Sequence, residues 1–192
     1  MQRLILFLAF SGLCLKPSFS FASTPGLVNV EVTESVQDGA MIQGDFCAPV
    51  SGAVAWDVIT DYSSISRYVG SIDSSKIKEK TKDVILVEQT LQTQLLFYKS
   101  KLSVLLEVKE TPYSEVSFKD ISKQSFQAYS GSWRIAPNGN CQLVGYRAQI
   151  KNSVPLPSFM RKKFFKANIQ TMLSEVQAEM LSRQARVQTL KN

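Results

Sequence analysis

The strongest constraint on this chain is a change of hydrophobic period near its end. From residue 72 to residue 151 apolar residues recur at every second position, whereas from residue 158 to about 186 they recur at helical spacing with no Gly or Pro between them. The first stretch divides into six strands, IDSSKIKEK, DVILVEQTLQTQLLFYK, KLSVLLEVKE, EVSFKDI, QSFQAYSGSWRIA and CQLVGYRAQIK. Polar turns at Thr81-Lys82-Asp83, Thr111-Pro112-Tyr113 and Pro137-Asn138-Gly139-Asn140 separate some of them. The last stretch is one long helix that starts after Pro155 and Pro157, with Ser158 as its cap.

Both patterns are one-sided. Ile85, Val87 and Leu91 share a parity, as do Leu102, Val104, Leu106 and Val108, then Val116 and Phe118, then Val144, Tyr146, Ala148 and Ile150. Glu107, Lys109, Lys119, Arg147 and Lys151 fall on the opposite parity, as expected of a sheet with one face in water. On the helix, Phe165, Ile169, Met172, Leu173, Val176 and Met180 form the apolar side. Upstream, LVNVEVTESV, Asp38-Gly39 and AMIQGDFCA read as a hairpin over residues 28 to 48. Ser51 caps a short helix through AVAWDVI, and Ser63 to Tyr68 is expected to form a second. A long helix laid on an antiparallel sheet is an α+β architecture.

The N-terminus implies export. Arg3 precedes an apolar run from Leu4 to Leu15, too short to span a bilayer, and Ser20 and Ala22 are small residues placed for cleavage before Ser23. The expected organisation is a signal peptide over residues 1 to 22 and a single domain over 23 to 192, delivered to the periplasm or secreted. Cys14 is not read as a lipidation site because bulky Leu13 precedes it. Cleavage removes Arg3 and Lys16 and no acid, leaving 20 basic against 16 acidic residues. Two cysteines remain, Cys47 and Cys141. An even count in an exported chain favours a disulfide, while two buried thiols far apart in space is the alternative.

The chemistry open to the chain is narrow. It contains no histidine, which removes the usual general base, the Ser-His and Cys-His nucleophile pairs and the commonest metal ligand. No metal site, phosphate loop or catalytic constellation is apparent, and no catalytic residue is assigned. Asp57 and Asp61, beside Trp56 and Tyr62, read better as backbone-binding acids at a helix end than as catalysts. Gln89 lies on the apolar parity and needs a buried partner, either another protein group or a ligand. Arg161, Lys162, Lys163 and Lys166 cluster at the start of the long helix, against its dipole, either as a solvated face or as a contact for anionic lipid headgroups. The modest charge and the lack of a stacking motif argue against nucleic acid.

Four segments, AWDVITDYSSISRYVGSIDSSKI, VILVEQT, FQAYSGSWRI and the helix after VPLPSFM, resemble in their order the START-like (SRPBCC) helix-grip superfamily. The nearest branch is that of polyketide cyclases/dehydrases and lipid transport, and coenzyme Q-binding relatives have a similar layout. The resemblance implies a curved seven-stranded antiparallel sheet gripping the C-terminal helix, two short helices after the first core strand, and a hydrophobic cavity between sheet and helix. Gln89, Phe97, Phe118, Trp133, Tyr146, Phe165, Ile169, Met172 and Met180 would face that cavity. In that topology the first core strand pairs with the last, which brings Cys47 and Cys141 within reach of a bond. The function implied is a monomeric carrier of a lipid, quinone or similar hydrophobic molecule, without cofactor and with transient contact to an anionic membrane. A cyclase- or dehydrase-like enzyme on the same cavity is the alternative.

Overall fold

The computed structural model describes residues 26–35, 39–95, 98–151 and 158–190. The expected signal peptide, Phe97 and the side chain of the expected cap Ser158 lie outside them. The elements are β1 (Asn29–Ser35), β2 (Gly39–Ala48), α1 (Gly52–Ile59), a 3-10 turn (Ile65–Arg67), β3 (Ile72–Lys80), β4 (Ile85–Leu95), β5 (Tyr98–Thr111), β6 (Glu115–Asp120), β7 (Ala128–Asn138), β8 (Cys141–Lys151) and α2 (Ser158–Thr189). All strands join one antiparallel sheet in the order β1-β2-β8-β7-β6-β5-β4-β3. The class is α+β with a C-terminal helix, as expected, but the sheet has eight strands where the resemblance implied seven. The additional strand is β1, which pairs with β2 from Asn29↔Asp45 to Ser35↔Gly39. It extends the sheet because buried Val32 and half-buried Val30 face α2, which packs on β1 and β2.

The parity argument holds strand by strand. Ile85 and Val87 of β4, Val104, Leu106 and Val108 of β5, Val116 and Phe118 of β6, and Val144, Tyr146 and Ala148 of β8 are all buried, while Lys109, Lys119 and Arg147 are exposed. Ser51 Oγ accepts a hydrogen bond from the Val54 N–H (3.2 Å) and caps α1 as expected. The second short helix is only the 3-10 turn, held by the Arg67 N–H bonding to the Ser64 carbonyl at 2.8 Å. The chain must turn into β3 at Ile72, which leaves no length for α-helical propagation.

Helix α2 lies on the inner face through Phe165, Leu173, Val176 and Met180, all buried. A side chain at Gly44 of β2 would meet Leu173 Cδ1 and the Asn29 carbonyl oxygen, so the missing Cβ is what lets the helix sit directly on the sheet. Polar anchors complete the grip. Gln177, itself buried, donates to the Cys47 carbonyl (3.2 Å), and Glu175 accepts from the Gly70 N–H (3.1 Å). Arg183 joins Asp61 (2.8 Å) to Glu179 (2.7 Å) and lies over the Tyr68 ring. Burial opposes ionisation of Asp61, but its bonds to Arg183 and Ser64 prevail and hold the carboxyl below its usual range. Asp61 thus ties α2 to the α1–β3 connection. Beside the Gln177 anchor, Cys47 and Cys141 form a disulfide with Cα atoms 5.8 Å apart, so the alternative of distant thiols is set aside.

Candidate ligand cavity

The inner face does not close completely. Between β4–β8, the α1–β3 connection and α2 lies a cavity of about 70 Å³. Val87, Gln89, Leu106, Val108, Val116, Phe118, Trp133 and Tyr146 come from the sheet, Ile59 from the end of α1, Tyr62 and Ile65 from the connection, and Met172 from α2. Every one of these is buried or half-buried. A larger depression of about 740 Å³ involves the outer face around Gln43, Arg134, Gly145 and Arg147, but half of its lining is exposed and much of that is charged or amide side chains. The site suited to an apolar ligand is therefore the inner one.

Of the residues read from the sequence, Gln89, Phe118, Trp133, Tyr146 and Met172 line this cavity. Phe165 and Met180 are buried and Ile169 half-buried, and all three pack in the surrounding core. They are not among the lining residues. The connection carrying Tyr62 supplies part of the wall that the helix was expected to supply, because α2 lies mainly over β1 and β2. Tyr129 was also missed. The signal for it was present, since Tyr129, Gly131 and Trp133 share one parity in AYSGSW.

Polar groups in the wall are few. Gln89, 7% exposed, donates from Nε2 to Ser75 Oγ at 3.1 Å, so its partner is a neighbouring side chain. Tyr62 donates its hydroxyl to Glu110 at 2.7 Å. The hydroxyls of Tyr129 and Tyr146 stand 3.5 Å apart. Phe118, Tyr129, Tyr146 and Trp133 form a connected aromatic wall, with centroids 5.3 Å apart for Phe118–Tyr129 and 4.7 Å for Trp133–Tyr146.

Burial holds these phenols in the neutral form. It raises Tyr62, reinforced by Glu110, and Tyr146, reinforced by Tyr129. It also raises Tyr129 and Tyr68 against the opposing influence of Tyr146 and Arg183 respectively. A folded-state pKa above the unfolded value means that the stability involved is complete below pH 10 and is lost as pH rises beyond it. In an alkaline titration followed by phenolate absorbance, Tyr62, Tyr68, Tyr129 and Tyr146 are expected to ionise together with loss of the folded circular dichroism signal. Their smooth ionisation near pH 10 in protein that stays folded would contradict the burial described here.

The basic cluster divides. Arg161 makes a double hydrogen bond to Glu34 of β1 (2.6 and 3.0 Å), whereas Lys162, Lys163 and Lys166 are exposed. Phe159 beside them is 68% exposed, unlike Phe165, which enters the core. Asp57 is exposed and its carbonyl accepts from Arg183 at 3.4 Å.

No curated protein matches the sequence significantly. Among solved structures, a STAR-related lipid transfer protein from Xanthomonas axonopodis superposes with a TM-score of 0.68 at 11% identity, covering 84% of this chain and 97% of that one. Human StAR-related lipid transfer protein 5 gives 0.62 at 14% identity, covering 80% and 81%. The Zhui aromatase/cyclase from Streptomyces sp. R1128 gives 0.60 at 11%, covering 76% and 93%. At these identities the likeness is one of fold. Residues 48–177 match the model of the polyketide cyclase/dehydrase and lipid transport family, a span from the end of β2 through most of α2 that holds every residue lining the cavity. On that match the chain belongs to the polyketide cyclase/dehydrase and lipid transport family.

Proposed function

We propose that the protein is an exported, monomeric carrier that holds a hydrophobic small molecule, of the lipid or quinone class, in the cavity between sheet, connection and α2. The observation that carries this reading is the cavity wall: aliphatic and aromatic side chains, with Gln89 and the tyrosine hydroxyls as its few polar groups. Such a wall binds by burial and orients by a few hydrogen bonds. At about 70 Å³ the cavity has room for a few waters and is well below the several hundred Å³ of an ordinary ligand site. Uptake therefore moves the wall. Met172, half-buried and unbranched, is the most adaptable side chain in it. Lys162, Lys163 and Lys166, with exposed Phe159, supply a face for anionic headgroups during exchange. Export rests on the sequence of residues 1 to 22, and agrees with the disulfide and with the absence, among the described residues, of any helix long and apolar enough to cross a membrane.

The second reading is a cyclase- or dehydrase-like enzyme on the same wall. It is favoured by the neutral Tyr129 and Tyr146 hydroxyls, which could donate to a substrate carbonyl.

The full chain, expressed with its N-terminal segment, purified from the cell envelope and extracted with organic solvent, is expected to release a hydrophobic compound in near-stoichiometric amount. Its intact mass is expected to start at Ser23. Val116→Phe, which fills the cavity, should release much less. Recovery of no such compound from the unmodified protein, or of the same amount from the filled variant, would overturn the carrier.

A further inference from the structure

Among the described residues, one buried side-chain polar atom, on the inner face, is left without a partner. Asp120 ends β6 on the same parity as Val116 and Phe118, both of which line the cavity, and only 3% of it is exposed. Its cross-strand partner on β5 is Leu106, another lining residue. Tyr129 is close enough that the charge of Asp120 bears on its ionisation. The two carboxyl oxygens fare differently. Oδ1 accepts three hydrogen bonds, from the Leu105 N–H (3.0 Å), the Ser122 N–H (3.0 Å) and the Ser122 hydroxyl (2.7 Å). Oδ2 is buried and accepts none.

A carboxylate is an acceptor only, and burying one of its oxygens without a donor is costly enough that native folds rarely do it without a reason. Three bonds to Oδ1 hold the side chain in place, so the orientation of Oδ2 is fixed; Asp120 is not itself a lining residue, so a ligand reaches Oδ2 only as the wall moves on uptake. The Tyr129 and Tyr146 hydroxyls, 3.5 Å apart, add groups that both donate and accept. A ligand hydroxyl can donate to Asp120 and accept from a tyrosine, and so uses both. A carbonyl or ether oxygen would instead meet Asp120 oxygen to oxygen. From this we propose that Asp120 Oδ2 is the acceptor for a hydrogen-bond-donating ligand head, so that the cavity takes alcohols, phenols or quinols in preference to ketones, ethers or quinones. The inference rests on the reading of the cavity as a ligand site and adds the polarity of the ligand's head to it.

The test uses two probes that share a body and differ only in the donor, para-propylphenol and its methyl ether, titrated calorimetrically into the unmodified protein and into Asp120→Asn. The phenol is expected to bind at least about tenfold more tightly, the usual worth of a hydrogen bond to a charged group. In Asp120→Asn the amide can place a donor where Oδ2 stood, and the ratio should fall to roughly twofold or invert. Equal binding of the two probes to the unmodified protein, or an undiminished ratio in Asp120→Asn, would overturn the inference and leave the carrier reading standing. Binding of neither probe would overturn both. The ratio in the unmodified protein decides the matter even if Asp120→Asn does not fold.

Discussion

Reducing the Cys47–Cys141 bond is expected to lower the free energy of unfolding by about 4 kcal/mol. The bond joins residues 94 positions apart, from the end of β2 to the start of β8, so the ring it closes contains α1 and the five strands β3 to β7. Held open, that ring restricts the unfolded chain far more than the folded one, and the chain-entropy model places a loop of this length near the upper end of the usual range. The folded state has little to gain from reduction. Cys47 is 1% exposed, its carbonyl already binds Gln177, and the register of β2 on β8 from Ala40↔Ile150 to Ala48↔Gln142 sets the strand ends without help from the sulfurs. In guanidinium titrations the oxidised protein should unfold at a clearly higher concentration than the reduced protein, and Cys47→Ala with Cys141→Ser should behave like the reduced form. The melting temperature should fall by roughly 10 °C for a domain of this size. Equal midpoints with and without reductant would show that the ring contributes nothing.

Gly131→Ala is expected to cost roughly 3 kcal/mol, although it adds one methyl group. Gly131 sits in β7 between Phe118 of β6 and Ala148 of β8 and turns toward the inner face. A Cβ there would run into the carbonyl oxygen of Arg147 and lie 2.6 Å from Phe118 Cζ. The phenyl ring can yield a little, but the carbonyl is backbone in the middle of a ladder, so β7 and β8 would have to part. Gly145→Ala is the control. Its Cβ would meet nothing within 4 Å, and the change should stay within about 0.5 kcal/mol. Similar stabilities for the two variants in parallel thermal melts would refute the steric account. Because Phe118 lines the cavity, Gly131→Ala should also weaken binding of any cavity ligand in whatever fraction remains folded.

The order and type of the elements were legible because they are local. Period two over β4–β8 and helical spacing over α2 mark which side of each element is apolar, and the burial of Val87, Val104, Phe118, Val144 and Leu173 follows that pattern without exception. The lack of histidine and the even pair of cysteines likewise bounded the chemistry before any fold was known. Local pattern cannot say which apolar surface meets which. Phe165, Met172 and Met180 read alike along α2, and only the placement of the helix over β1 and β2 sends Phe165 and Met180 into solid core and Met172 to the cavity.

The same limit applies to charge. Arg161 belongs to a basic run in sequence and to Glu34, 127 residues away, in the fold. Asp120 closes its strand on the apolar parity of Val116 and Phe118, so its burial was as legible as that of Gln89, but its partners were not. Its burial and the three donors on one oxygen exist only once β5 and the turn at Ser122 close around it. The sequence by itself therefore determined the faces and the list of chemistries available. The tertiary structure decided the cavity wall and its volume, because each depends on contacts between segments far apart in the chain, whose geometry no local period encodes; the eighth strand, by contrast, was legible in the hairpin read over residues 28 to 48 and is absent only from the seven-stranded sheet that the resemblance implied.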